Sequence, residues 1–213
     1  MGDYNPLQCI MTNSTCYKES KPMGVKGICF CTTTMGYSKL HRFVQPSEDD
    51  PNYEQLIHII GKNQRDNDYN HTNKQEGYTF WIGRFEHDSV GSVQTLPLNY
   101  RGWGCGQGRA GSGNDGWIQV MILHHNDSCD TEYDYESYTH GIYNSMVALS
   151  AYICKEFNIY PLGTNKCCGI SVPVITTKTE MYNLNLAYKP NFSDWFLQDS
   201  ELDKLRKDVW CHL

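Results

Sequence analysis

The segment 139–157 constrains the fold most, because Ile142, Met146, Leu149, Ile153 and Phe157 recur at the spacing of one buried helical face. Such a face needs an apolar surface to lie on. The other apolar stretches are short and rich in β-branched and aromatic residues: VKGICFCTTT (25–34), GYTFWIGR (77–84), VGSVQTLP (90–97), WIQVMIL (117–123) and ISVPVIT (170–176). These have strand composition, and Phe85–Ser89 is expected to be a tight hairpin turn between the second and third. Ser137 or Thr139 is expected to cap the long helix, which ends before Pro161. A second helix is expected over 200–210, with Ser200 and Asp203 in a capping-box pattern and Leu202, Leu205 and Val209 on its core side. The polar stretch 45–76 reads as a surface excursion around one short helix, Tyr53–Ile60. The expectation is an α/β (α+β) fold with a single mixed β-sheet flanked by helices. The length, 213 residues, suits one core and is short for two ordinary domains. The domain is expected over 22–213, with 1–21 as an N-terminal appendage.

Charge narrows the partners. Lys plus Arg number 18 against 24 Asp plus Glu, a formal charge of −6, so no global basic field draws the chain to nucleic acid or anionic lipid. No window approaches the ~18 consecutive apolar residues of a membrane span. The first 20 residues lack the basic and apolar regions of a secretion signal, and the pattern for N-myristoylation fails because Pro6 and Leu7 stand where Ser or Thr is required. A soluble chain with a cytoplasmic location is the expectation. Ten Cys leave the redox compartment open. The sequons headed by Asn13, Asn70, Asn126 and Asn191 matter only in a eukaryotic secretory pathway.

Residues 100–116, YRGWGCGQGRAGSGNDG, contain seven glycines and read as a loop. They match neither the GxxxxGK[ST] nor the GxGxxG phosphate-binding pattern. The eight His form no HExxH and no zinc-finger quartet, His124-His125 reads as a solvated turn after a strand, and no GxSxG nucleophile elbow occurs.

In order along the chain, VKGICFCTTT, RFVQP, GYTFWIG, QTLPLNYRGWGCG, WIQVMIL and SMVALSAYICKEFNIYPLG resemble the type-2 N-acetylmuramoyl-L-alanine amidases of clostridia and their phages, which are akin to peptidoglycan recognition proteins. The likeness runs from about residue 22 to about 210. It implies the amidase-2 fold and a zinc ion held by two His and one Asp or Cys, whose bound water attacks the lactyl-amide bond. Carried over position by position, the ligands are replaced. Cys31 stands at the first strand's His, Cys168 follows Cys167 where the family has Cys-His, and Lys189 and Asn191 occupy the closing Asn-His-x-Asp wording, before Trp195-Phe196. Met121 stands at the strand glutamate, Thr79 at the second strand's His, and Trp103-Gly104-Cys105-Gly106 at Trp-His-Cys-Gly.

The resemblance with these replacements implies a catalytically inactive domain binding a muropeptide, or another small glycan or peptide, in the amidase cleft. The alternatives are an amidase with an altered metal set and a phage-encoded interaction protein with a vestigial cleft. No catalytic residue and no cofactor are expected; a zinc, if bound, falls to Cys31, Cys168 and Asn191, with Asp194 or Cys167 as substitutes. Cys31 and Cys168 are otherwise expected to face each other as a disulfide or thiol pair, or to be ordinary buried thiols. The expected ligand contacts are Tyr78, Arg84, Tyr100, Arg101, Trp103 and Arg109, with Trp103 and Arg101 the main ones and Trp81 either cleft floor or core. Aromatic faces stack on sugars and guanidinium groups pair with carboxylates.

Overall fold

A computed structural model describes residues 4–74, 77–85, 89–125, 132–191, 197 and 199–213. The Gly27–Gly36 strand, β2, is an interior strand of the sheet; it lies parallel to β5 (Trp117–His124) on one side and β8 (Ile175–Thr177) on the other. Having neighbours on both edges accounts for its unbroken apolar start, since a central parallel strand is covered on both faces. Next to β5 runs β3 (Phe80–Arg84), also parallel, followed by antiparallel β4 (Val90–Gln94) and then β1 (Leu7–Gln8), parallel to β4. The order is β1-β4-β3-β5-β2-β8, a mixed six-stranded sheet.

Strand alternation divides the core into two layers. Ile28, Phe30, Phe80, Ile82, Ile118, Val120 and Ile122 point to one side, beneath α3 (Glu132–Glu156) and α5 (Asp199–Cys211). Cys29, Cys31, Trp81, Trp117, Met121 and Leu123 point to the other. That second side is covered by α1 (Thr15–Glu19), a 3-10 helix over Tyr37–Arg42, α2 (Tyr53–Ile60), the glycine-rich loop and α4 (Lys178–Asn183). No described helix is long and apolar enough to cross a membrane.

Several local expectations are corrected. The N-terminal segment is no appendage: β1 forms the sheet edge, and Cys9 and Met11 are fully buried in the core. The long helix begins at Glu132, so Ser137 and Thr139 lie inside it; Asp134 and Glu136 in its first turns suit the positive end of the helix dipole. ISVPVIT is two strands. Its first part, β7 (Ile170–Pro173), forms a hairpin with β6 (Thr164–Cys167), and β8 resumes two residues later in the main sheet. Ser200 lies inside α5, and Asp203 bonds Arg206; a capping box stands instead at α4, where Glu180 N–H donates to Thr177 Oγ1. The hairpin between β3 and β4 is closed by Phe85 N–H donating to Ser89 O, its interior lying outside the described residues, as do Asp194, Trp195 and Phe196.

Candidate functional site

The glycine-rich loop folds back on the chain after α4 through backbone bonds. Ala110 N–H donates to Asn185 O at 2.9 Å, Gly113 N–H to Leu186 O at 2.7 Å and Tyr188 N–H to Cys105 O at 3.0 Å. The approach is close enough that a Cβ on Gly108 would lie 2.2 Å from Asn185 O, which explains a glycine there. Asn114 fastens the loop from within, accepting from Cys105 N–H at 2.9 Å. Clasping these two segments leaves a cleft of about 360 Å³ lined by Tyr69, Tyr78, Trp103, Cys105, Lys178, Tyr188 and Lys189. Among the described residues its lining holds two lysines and no carboxylate. Beyond the exposed Tyr188, a second groove of about 540 Å³ carries Arg109 and Tyr182.

Most of the positions singled out at the family's catalytic wording converge below this cleft. Cys31 and Met121 are direct cross-strand partners, Trp81 is the next partner of Met121, and Thr79 N–H donates to Gln119 O on the same strand pair. Asn191 joins them: its Oδ1 accepts from Thr32 N–H at 3.1 Å and its N–H donates to Thr179 Oγ1. Thr79 Oγ1 and Trp81 Nε1 are buried with no hydrogen-bond partner among the described residues. Trp81 is core, stacked among Phe43, Tyr69 and Tyr78.

Sulfur dominates the floor. Cys29 Sγ lies 3.6 Å from Cys105 Sγ, and Cys105 donates to Gln119 Oε1 at 3.2 Å. The hydrogen bond from Cys29, with Lys178 nearby, holds the Cys31 thiol below its ordinary range against the effect of burial. Burial, together with the sulfurs of Cys105 and Cys31, pushes Cys29 well up.

Cys168 is elsewhere. It is exposed in the β6–β7 turn at φ 50°, with its Sγ against Gly111, whereas Cys31 is 1% exposed in β2. Both are free, so the expected disulfide is absent. The inward residue of that turn is Cys167, whose Sγ donates to Ser112 O. The implied zinc does not fit this donor set: Cys31 is held in the sulfur cluster, Asn191 Oδ1 is engaged by a backbone N–H, and Cys168 faces away. Among the described residues no three His, Cys, Asp or Glu side chains group as metal ligands.

The expected ligand contacts divide. Tyr78 and Trp103 line the cleft, together with Lys189 from the closing wording of the resemblance. Arg109 serves the adjoining groove. Arg101 is buried, with its Nε on Asp115 Oδ1 at 2.5 Å and its guanidinium carbon 4.3 Å from the Trp103 ring centre, and Tyr100 stacks on Tyr17. Arg84 lies on the other side of the sheet, bonded to Asp134 at 2.9 Å, over the rings of Tyr37 and Tyr138 and beside a separate groove. His125, expected in a solvated turn, is buried with Nε2 3.0 Å from Asp134 Oδ2. Sequence reasoning missed Lys178, Tyr69 and Tyr188; the Thr177-x-x-Glu180 capping box was the available signal for a helix start at Lys178.

The sequence profile described as N-acetylmuramoyl-L-alanine amidase matches residues 41–179. No curated protein matches the chain. Among solved structures, a mutant of PlyL superposes with a TM-score of 0.50 at 13% identity, covering 97% of this chain and 98% of that one. AmpD superposes at 0.49 with 11% identity over 96% and 95% of the two chains. The Staphylococcus aureus hydrolase AmiA, solved with its ligand, superposes at 0.47 with 14% identity over 94% and 89%. At these identities the likeness concerns the fold.

Proposed function

On the premise that this chain belongs to the N-acetylmuramoyl-L-alanine amidase family, which matches it over residues 41–179, we propose that it is a peptidoglycan-related amidase-like domain that binds a muropeptide without cleaving it. The observation that carries this reading is the cleft itself, in which Trp103, Tyr78 and Tyr188 present ring surface beside the amines of Lys178 and Lys189. Rings stack on sugar or peptide planes and amines attract peptide carboxylates, so the lining suits an anionic glycopeptide.

The floor of the cleft does not support cleavage. An amidase of this family needs a polarised water and a side chain to move its proton. Beneath the cleft this chain places Cys31 opposite Met121, with Thr79 and Trp81 on the neighbouring strand. Methionine accepts no proton, and Cys31 is buried in β2 beside the Cys29 sulfur. What the chain retains is binding and orientation: lysines for carboxylates, rings for planes, and a loop clasp that fixes Trp103 and Tyr188 relative to one another.

Calorimetric titration with a muropeptide, run beside an amidase assay and elemental analysis of the purified protein, tests the reading. Binding without turnover is expected. Turnover abolished by a chelator, with about one zinc per chain, would establish the altered-metal amidase instead. No binding in any titration would remove the muropeptide as ligand.

A further inference from the structure

The sulfur cluster below the cleft lies where the family's hydrolytic chemistry is expected, yet it is not arranged as a metal site. We propose that Cys29 and Cys105 are an oxidation-sensitive dithiol that closes to a disulfide, tying the glycine-rich loop to β2. The two sulfurs are 3.6 Å apart although the residues are 76 positions apart in the chain. A disulfide needs about 2.05 Å, so closure requires a shift of about 1.5 Å between sulfurs already in contact. The loop is the side able to give, because Cys105 lies between Gly104 and Gly106 and the latter already has φ 70°. Cys31 is the poorer partner for Cys29: it lies two residues along the same extended strand, where the backbone holds the Cβ atoms apart.

Access comes from the cleft, because Cys105 contributes to its lining while Cys29 is sealed beneath. Hydrogen peroxide reaching Cys105 meets a sulfur whose S–H is directed to Gln119 Oε1. Loss of that proton lets the Cys105 sulfur attack one peroxide oxygen, breaking the O–O bond and giving a sulfenic acid and hydroxide. The Cys29 sulfur then displaces the sulfenic hydroxyl, forming the S–S bond. The hydroxide and the displaced hydroxyl take up the two thiol protons and leave as two waters, so two electrons pass from the sulfurs to the peroxide. The product fixes the Trp103–Gly106 wall of the cleft to β2. This inference is independent of the muropeptide reading, since it concerns the loop and strand whatever the ligand.

The test uses the full chain carrying Cys168→Ser and Cys211→Ser, which removes the thiols exposed among the described residues, treated with equimolar hydrogen peroxide, blocked with an alkylating reagent in denaturant and digested without reductant. The expected result is a linked peptide pair containing Cys29 and Cys105, lighter by two hydrogens than the free peptides, as the main internal product. It should disappear in Cys105→Ala and in Cys29→Ala, with folding checked by circular dichroism; if either variant fails to fold, the unmutated pair's peptide map decides alone. A link between any other two cysteines, or oxidation with no internal link, would overturn the proposal.

Discussion

The guanidinium carbon of Arg101 lies 4.3 Å from the ring centre of Trp103, so two side chains that both looked poised for a ligand hold each other. Arg101 is an internal strut of the glycine-rich loop, ion-paired to Asp115, and only Trp103 faces the cleft. Arg101→Met should therefore lower stability by about 1–3 kcal/mol, the loss of a desolvated cation–π contact and a charged hydrogen bond. Urea denaturation reads the change directly, and an unaltered midpoint would show that the strut contributes nothing.

Trp103→Ala should weaken muropeptide binding about tenfold, about 1.4 kcal/mol, the usual value of one aromatic stacking contact. Lys178→Ala should weaken it further at low salt than at high salt, because the lysine acts through charge. Titrations of each variant at two salt concentrations separate the effects; unchanged affinity in both would place the ligand outside this cleft.

Asp134 supplies a pH dependence. The hydrogen bond from Arg84, with a further one from His125, lowers its carboxyl below the ordinary value of 3.8. A depressed folded-state pKa contributes stability that is complete above the unfolded value and is lost as pH falls through the folded one. Melting temperature should thus decline below about pH 4, and Asp134→Asn should flatten that decline while lowering stability at neutral pH. Thermal melts from pH 7 to pH 2 on both proteins decide it, and parallel curves would assign the acid limb to other carboxylates.

Gly108→Ala should be among the costlier single substitutions outside the sheet. Its Cβ would sit 2.2 Å from a backbone oxygen and 2.8 Å from Ala187 N, so the clasp between the loop and residues 185–188 must open. A loss of about 2–4 kcal/mol is expected, the range of overpacking with backbone displacement, with muropeptide affinity falling in parallel. Chemical denaturation together with calorimetry would reveal a tolerant loop if both were unchanged.

Local periodicity determined much of the architecture. The 3.6-residue repeat from Ile142 to Phe157 and the β-branched runs of β2, β3 and β5 are properties of a segment alone, and each forms the expected element. The ordered wording from VKGICFCTTT to SMVALSAYICKEFNIYPLG carried the family, in agreement with the match over 41–179. Of the six ligand contacts expected from sequence, Tyr78 and Trp103 line the cleft. Tertiary structure alone decided which charges were available. Arg84 and Arg101 are both used internally, on Asp134 and Asp115, partners 50 and 14 positions away, and no spacing rule links such pairs. It likewise turned Cys167 inward and Cys168 outward, since a left-handed residue in a tight turn reverses which neighbour faces the core. The segment before residue 22 gave no strand signal because two residues of edge pairing are too short for a periodicity; only β4 beside it makes Leu7–Gln8 a strand. The clasp that forms the cleft consists of backbone bonds between chain segments about 75 residues apart, and backbone groups are the same in every sequence, so that contact became visible only in the fold.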